Sequence, residues 1–434
     1  MKLDGSEGLL PLAPVGAIEV YGPRLATRDE QMTKVSMQPA ETVAPLYDPS
    51  FERDSCGVGL VVDIKGRQSR DIVTRALAGL VNLTHRGGVG ADARTGDGAG
   101  ILTQIPTGFF ADLPAGELGV AMIFLPQDAD VADAARTIVT EAMSSAGLEI
   151  LGWRRTPVDP AFLGEIAGQT LPGIAQLLIM RPSDMDEETF ERTLMLGRKA
   201  AERAAESADI QDLFFVSCSC RTVIYKGFCL PEDLAAFYLD LQDERFVSAI
   251  GLFHQRYSTN TLPTWAMSQP FRFLAHNGEI NTIQGNRLWM QSRKPLLEYP
   301  GIATAEELEP LVSMTGSDSL SLDNVVELLY HGGRSLPHAL MMLVPEPWER
   351  MDDMEPSRRA FYDYHAGLVE QWDGPAALAF SDGVLAGATL DRNGLRPLRY
   401  AITSDGLLIA GSEAGTVAVD QALVIEKGRL GPGQ

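Results

Sequence analysis

Cys56 has the surroundings that nucleophilic chemistry needs, at the start of the segment CGVGLVVDI in this 434-residue chain. The glycines that follow it give the thiol little side-chain cover, and a compositionally different segment precedes it. Cleavage of the Ser55–Cys56 bond would leave one residue with both a thiol and an α-amine. An α-amine has a pKa of about 8 and can act as the base for its own thiol. A lone cysteine is otherwise most simply a buried structural residue, so neighbouring polar groups must decide.

Asn277 and Gly278, within HNGEIN, supply two hydrogen-bond donors at the predicted end of a short strand. An Asn-Gly pair placed there can aim a side-chain amide and a backbone N–H into one space. Two converging donors of this kind form an oxyanion hole for a tetrahedral intermediate. The same pair is also common in ordinary hairpin turns, so it does not decide the function alone.

Arg256 and Asp318 add one charge of each sign. Arg256, in HQRYSTNT, carries a planar fork that suits a carboxylate, and Asp318, in GSDS, suits an ammonium. Each residue taken separately is more simply a surface ion pair or a helix cap. Together with a thiol and two oxyanion donors, they describe a site for the side-chain amide of an amino acid.

The composition is that of an acidic globular protein. Hydrophobic residues make up 45% of the chain, and Asp plus Glu outnumber Lys plus Arg by 58 to 36, a formal net charge of −22. Such a surface repels phosphate backbones, and without a basic patch nucleic-acid binding is not expected. No apolar run approaches the ~18 residues of a membrane helix. The few cysteines and the absence of a secretory signal predict a cytoplasmic protein.

Strands are predicted near both ends of the chain, and helices alternate with strands between them. CGVGLVVDI predicts a strand, and the apolar spacing predicts a helix over 72–83. The clearest further helices span 128–147 and 186–207, and the tail predicts a meander of short strands with Asp-Gly and Asn-Gly turns. This order indicates a layered α+β domain whose sheets pair early and late segments.

Seven motifs, in this order, resemble the class II glutamine amidotransferases, the N-terminal-nucleophile glutaminases. They are CGVG, HRGG, TGDGAG, HQRYSTNT, HNGEINT, GSDS and DRNGLRPLRY. The long stretch between HRGG and HQRYST makes the resemblance closest to the amidotransferase domain of the glutamate synthases. It implies an α+β fold, the four-layer αββα sandwich of the N-terminal-nucleophile hydrolases, over 56–434. Residues 1–55 would be a propeptide that is removed on maturation.

The resemblance also implies a role for each candidate residue. Cys56 would be the nucleophile after autocatalytic loss of residues 1–55, with Asn277 and Gly278 as the oxyanion hole. Arg256 would bind the α-carboxylate of L-glutamine, and Asp318 would bind its α-ammonium. The remaining carried-over residues are two that line the substrate pocket, Thr259 and Arg86, and three that position them, Arg392, Asn393 and Arg396.

The same resemblance implies that this chain performs one part of a longer reaction. In a glutamate synthase the ammonia passes through a tunnel to 2-oxoglutarate and forms a second glutamate after reduction. FMN, a 3Fe–4S cluster and a reductase small subunit are implied for the whole enzyme, with no cofactor or metal in this chain. We interpret the ending EKGRLGPGQ as a break before the synthase domains of the same polypeptide.

Several alternatives stay open at this level. A Cys–His dyad could use one of the histidines that lie within motifs, which are His85, His254 and His276. An N-terminal-nucleophile hydrolase for another amide would not need the Arg256 and Asp318 pair. A non-catalytic regulatory module would tolerate loss of Cys56.

Three further features have simpler structural interpretations. TGDGAG lacks the Lys-Ser/Thr of a phosphate-binding loop, so we interpret it as a loop near the active site. The cysteines at 218, 220 and 229 lack a suitably spaced fourth ligand and are interpreted as core thiols. The charged helix over 186–207 is most simply a solvated face, or else a partner surface.

Overall fold

The computed structural model of the protein describes residues 56–256 and 263–434. Thr259 and the predicted propeptide therefore lie outside the described residues. Within the described ranges the helices are α1 (Arg70–Asn82), α2 (Ala129–Ser145), α3 (Glu165–Gln169), α4 (Glu187–Ser207), α5 (Pro231–Phe237), α6 (Ile283–Arg293), α7 (Asp318–His331), α8 (Leu336–Leu343) and α9 (Pro356–Ala366).

The strands of the same ranges form three sheets, and all their pairings are antiparallel. They are β1 (Gly57–Asp63), β2 (Ala99–Gln104), β3 (Leu118–Leu125), β4 (Glu149–Arg155), β5 (Gly173–Met180), β6 (Phe214–Ser219), β7 (Thr222–Gly227), β8 (Ile250–Gln255), β9 (Leu274–Gly278), β10 (Ala376–Ser381), β11 (Ala386–Leu390), β12 (Arg399–Thr403), β13 (Leu407–Gly411) and β14 (Val424–Arg429).

The first sheet joins early and late segments, as the sequence predicts. Its order is β14-β12-β13-β1-β8-β2-β7, so the strand after Cys56 is central and pairs with β13 and β8. A second sheet, β11-β10-β9, stacks on it through β9 and β10, which contact β1 and β8. A third sheet, β4-β5-β3-β6, continues from the β6–β7 hairpin and carries α2 and α4.

Helices cover the outer faces of the two stacked sheets. Helix α1 packs on β1, β8 and β2, while α7 packs on β9. The close approach of α1 depends on Gly251, because a Cβ there would lie 2.6 Å from the Cβ of Ala76. The four layers are therefore helix, sheet, sheet and helix, with a core between the sheets that contains Val58, Leu60 and Leu252. The predicted α+β class and layering are confirmed.

The C-terminal meander is the first prediction that needs correction. The two hairpins form as expected, β10–β11 around Asp382-Gly383 and β12–β13 around Asp405-Gly406. They belong to different sheets, because β10 pairs with β9 whereas β13 pairs with β1. Alternation of apolar and polar residues identifies a strand, but it does not identify the distant strand with which it pairs.

The charged helix α4 is not the solvated face that its sequence indicates. Arg198 is 2% exposed and its guanidinium lies 2.6 Å from the Glu327 carboxylate on α7. Lys199 donates to the Pro310 carbonyl at 2.7 Å, and Glu191 is buried as well. The prediction is wrong for these residues because α7, the loop before it and the β6–β7 hairpin supply partners that no local pattern contains. Buried charges need such partners to offset their desolvation.

Candidate active site

Cys56 directly precedes β1 and is 8% exposed. Val58 pairs with His254 across β1 and β8, and the His254 ring contacts the His276 carbonyl of β9 at 3.0 Å. This side of the first sheet therefore faces the second sheet. Because side chains alternate along a strand, Cys56 lies on the same side as Val58. The predicted nucleophile is thus positioned at the junction of the two stacked sheets.

Arg86 holds the backbone of the nucleophile. Its Nη1 donates to the Cys56 carbonyl at 3.5 Å, while its Nε and Nη2 donate to Glu413 Oε2 at 2.9 and 2.6 Å. Glu413 lies just beyond β13, so the arginine ties the start of β1 to the end of its neighbouring strand. The geometry places Arg86 as a brace beside the site, and its contact with substrate stays a prediction.

Asn277 and Gly278 end strand β9, as the sequence predicts. Gly278 has a φ of +148°, and a Cβ there would lie 1.8 Å from the Pro375 carbonyl oxygen, so only glycine fits. Asn277 is 1% exposed and its Nδ2 donates to Ser412 Oγ at 3.2 Å. Among the described residues no group donates to Asn277 Oδ1. The pair is rigidly placed, with part of the amide's bonding capacity unused.

Asp318 begins helix α7, where the helix dipole favours a negative charge. Its Oδ2 accepts the Ile280 N–H at 2.7 Å, and its Oδ1 accepts the Ser319 N–H at 2.7 Å. An ionised carboxylate has about four acceptor positions. The carboxylate is therefore oriented by backbone donors while keeping capacity for an ammonium group.

Arg256 follows β8 directly and has a backbone φ of +84°, which is unusual for a residue with a side chain. Its N–H donates to the Gly98 carbonyl at 2.8 Å, and its Nε lies 3.5 Å from Asp97 Oδ2. Asp97 belongs to TGDGAG, which leads into β2 and not into a helix. The motif is therefore a loop and not a phosphate-binding turn before a helix, and its place near the active site stays a prediction.

The pKa of the Cys56 thiol shows which charges surround it. Burial raises the pKa to about 11, Arg256 and Arg396 lower it, and Asp97 and Asp318 raise it. Charges shift a pKa strongly only from nearby. Arg256 and Asp318 therefore both lie near enough to act on the pKa of the thiol, as does Asp97, which the sequence had placed only in a nearby loop.

The three motif histidines have other partners. The His85 ring lies 3.1 Å from the Glu413 carboxylate, and His276 Nδ1 lies 2.8 Å from Ser319 Oγ. Burial lowers the pKa of His254 to about 3 and lowers that of His276 as well. His254 is therefore a poor base at neutral pH, and His85 and His276 contact other groups, so this arrangement does not favour a Cys–His dyad.

The family model for glutamine amidotransferases class-II matches residues 56–434. The chain belongs to this family. Its α+β layers are those of the N-terminal-nucleophile hydrolases, and the match begins at the residue predicted to be the nucleophile.

This class II amidotransferase chain is similar to one part of much longer proteins. It is 44% identical over 405 residues to the glutamate synthase [NADPH] large chain of Azospirillum brasilense, covering 91% of this chain and 27% of that one. It is 43% identical over 425 residues to the chloroplastic ferredoxin-dependent glutamate synthase of Oryza sativa subsp. japonica, covering 95% and 26%. The chain thus spans about a quarter of the length of these curated relatives.

A solved structure of the allosteric regulatory enzyme of purine biosynthesis also matches the amidotransferase. The TM-score is 0.36 at 13% identity, covering 83% of this chain and 42% of that chain.

Of the three residues predicted from DRNGLRPLRY, one acts on the Cys56 thiol, whereas the other two have other surroundings. Arg396 acts on the pKa of Cys56, as a positioning residue beside the site would. Arg392 instead donates to Gln371 Oε1 at 2.8 Å, and the exposed Asn393 lines a cleft of about 270 Å³ together with Asn281 and Pro375. The positioning roles of Arg392 and Asn393 stay predictions.

Two residues of the site have no sequence signal of their own. Glu413 holds Arg86, and Ser412 contacts Asn277, but both lie in the unremarkable segment AGSEAG, which begins with the last two residues of β13. Only the pairing of β13 with β1 brings this segment to Cys56.

Proposed function

We propose that this chain hydrolyses L-glutamine to glutamate and ammonia as the amidotransferase part of a glutamate synthase. Membership of the class II family and the similarity to two glutamate synthases support the assignment. The observation that carries it is the position of a cationic Arg256 opposite Cys56, at the paired ends of β8 and β1, and of an anionic Asp318 whose carboxylate accepts the Ile280 N–H just beyond the proposed oxyanion hole. A free amino acid is the substrate that needs one partner of each sign beside its reacting side chain.

Cys56 attacks the carbonyl carbon of the glutamine side-chain amide, and its α-amine takes the thiol proton. The negative oxygen of the tetrahedral intermediate accepts hydrogen bonds from Asn277 Nδ2 and the Gly278 N–H. The carbon–nitrogen bond then breaks, and the amine returns the proton to the departing ammonia. Water attacks the resulting thioester, which releases glutamate and restores the thiol.

Removal of residues 1–55 is part of the proposal, because it creates that amine. Burial raises the pKa of the thiol to about 11, so little thiolate exists at neutral pH without an adjacent base. The peptide nitrogen of an uncleaved Cys56 cannot accept a proton. Maturation therefore supplies the base that this buried thiol requires.

We propose that ammonia passes to 2-oxoglutarate in synthase domains of the same polypeptide, which would hold FMN and a 3Fe–4S cluster and work with a reductase. No helix among the described residues is both long and apolar enough to cross a bilayer. Cytoplasmic localisation is part of the same proposal.

Release of ammonia from glutamine by the mature protein, compared with its Cys56→Ser and Arg256→Ala variants, tests the assignment. We expect Cys56→Ser to abolish release and Arg256→Ala to raise the KM at least tenfold. Unchanged turnover in Cys56→Ser would indicate a non-catalytic module contaminated by another activity. Unchanged glutamine turnover in Arg256→Ala would point to an amidohydrolase for a different amide.

A further inference from the structure

Ser412 joins the nucleophile strand to the side chain proposed for the oxyanion hole. It follows β13 and is 2% exposed. Its N–H donates to the Val58 carbonyl at 2.9 Å, and the Val58 N–H donates to Ser412 Oγ at 3.0 Å. Asn277 Nδ2 lies 3.2 Å from the same Oγ. A single hydroxyl therefore connects β1, two residues after Cys56, to Asn277 in the second sheet.

The contacts of this hydroxyl fix the direction of each hydrogen bond. A serine hydroxyl has one proton to donate and two lone pairs that accept. The Val58 N–H can only donate, and the Val58 carbonyl, 3.2 Å from Oγ, can only accept. The hydroxyl proton therefore goes to the carbonyl, and one lone pair remains for Asn277. Only the amide nitrogen of Asn277 completes this set, because its oxygen would face a lone pair.

Nothing else among the described residues fixes this amide, since Asn277 Oδ1 has no donor there. A primary amide has two N–H groups. One of them is used by Ser412, and the second remains for the oxyanion. A reversed amide would present its oxygen to the developing negative charge and repel it.

We propose that Ser412 is a positioning residue that holds the Asn277 amide with its nitrogen toward the reacting centre. The inference rests on the proposed function, and Ser412 acts through Asn277 without touching the substrate. Loss of the hydroxyl lets the amide rotate, so transition-state stabilisation falls. Glutamine binding is preserved, because Arg256 and Asp318 hold the other end of the substrate.

The matched variants Ser412→Ala and Ser248→Ala test this in the protein that begins at Cys56. Ser248 is also fully buried, accepts the Gln104 N–H at 3.0 Å and donates to the Ile250 carbonyl at 2.6 Å, but bonds to no amide side chain within 56–256 and 263–434. In Ser412→Ala we expect the kcat for glutamine to fall by about ten- to a hundredfold, with a KM within about twofold. Alkylation of Cys56 by iodoacetamide, which needs no oxyanion hole, should change by less than about twofold.

Ser248→Ala should leave kcat, KM and alkylation near their original values. Ser412→Cys, which keeps a side chain of similar size but a weak acceptor, should behave as Ser412→Ala does. An unchanged kcat in both Ser412 variants would overturn the inference. A fall in kcat that also occurs in Ser248→Ala would overturn it too. So would a fall in kcat accompanied by comparable changes in the KM for glutamine and in the rate of Cys56 alkylation.

A second readout does not depend on glutamine hydrolysis. With ¹⁵N-labelled asparagine, solvent exchange of the Asn277 side-chain protons should become at least about tenfold faster in Ser412→Ala. Equal exchange rates would overturn the inference. If the unaltered protein releases no ammonia from glutamine, the proposed function fails, while the exchange rates still decide the role of Ser412.

Discussion

Arg256 Nε lies 3.5 Å from Asp97 Oδ2, and both charges act on the pKa of Cys56. The two side chains are 13% and 17% exposed, so the pair is only partly screened by solvent. The arginine is held on one side by its own strained backbone and on the other by this carboxylate. In the proposed function Arg256 binds the substrate carboxylate, so Asp97 would set where its guanidinium fork meets that group.

Replacement of Asp97 by asparagine should weaken glutamine binding but make the Cys56 thiol more reactive. The KM for glutamine should rise by about fivefold, since a partly exposed ion pair contributes ~1 kcal/mol to the placement of Arg256. Cys56 alkylation at pH 8 should become faster, because Asp97 raises the pKa of the thiol. Asp63→Asn, which breaks the Arg67 pair at the far end of β1, should show neither change. An unaltered KM in Asp97→Asn would remove Asp97 from the substrate site.

Asp318 should discriminate in favour of substrates that carry an α-ammonium. The unaltered protein should prefer glutamine to its desamino analogue by at least tenfold in kcat/KM, corresponding to ~1.4 kcal/mol or more. Asp318→Asn keeps an oxygen for the Ile280 N–H but loses the charge, so the preference should shrink to about twofold. The ratio of kcat/KM for glutamine to kcat/KM for the desamino analogue, determined for both proteins, measures this preference. A preference that survives the substitution would assign the ammonium to another partner.

The pH dependence should differ before and after maturation. In protein that retains residues 1–55, alkylation of Cys56 should increase with pH up to about 11, because burial favours the neutral thiol over the reactive thiolate. In protein that begins at Cys56, glutamine turnover should increase through about pH 8, where the α-amine becomes a base. Rate profiles from pH 6 to 11 measure both. An alkylation midpoint below pH 9 in the longer form would contradict the buried-thiol account.

The buried charges between α4 and α7 should govern stability and not catalysis. Burial alone would raise the pKa of Glu327, but Arg198, Arg272 and Lys199 lower it well below its usual range. Its stabilising effect is therefore present at neutral pH and is lost as the pH falls below 4.5. Glu327→Gln should lower the free energy of unfolding by ~3 kcal/mol, because it leaves buried cations unpaired.

Denaturant unfolding measures this loss, with Glu188→Gln as the control. Glu188 also pairs with an arginine of α4 but its side chain is 73% exposed, so the change should be below ~0.5 kcal/mol. The KM for glutamine should be unaltered in both variants. Equal stability of the two variants would show that the buried network is dispensable.

The sequence predicts the parts of this site that lie within short motifs. Cys56 is recognisable because small residues follow its thiol. Asn277 and Gly278 are recognisable because an Asn-Gly pair ends a short strand. Their actual positions, before β1 and at the end of β9, follow from the same short-range patterns.

Partners contributed by distant strands could not be predicted in this way. Ser412 and Glu413 reach the site only because β13 pairs with β1, and the register of that pairing depends on the whole sheet. The buried charges of α4 have the same origin, since the Glu327 that neutralises Arg198 belongs to α7. Local charge patterns identify a polar helix but not the helix that covers it.

The intact mass of the purified protein, followed together with ammonia release from glutamine, tests whether loss of residues 1–55 creates the active enzyme. We expect a species that begins at Cys56 and an activity that rises in proportion to that species. Full glutaminase activity in protein that retains residues 1–55 would contradict it, because an uncleaved Cys56 has no α-amine to act as its base.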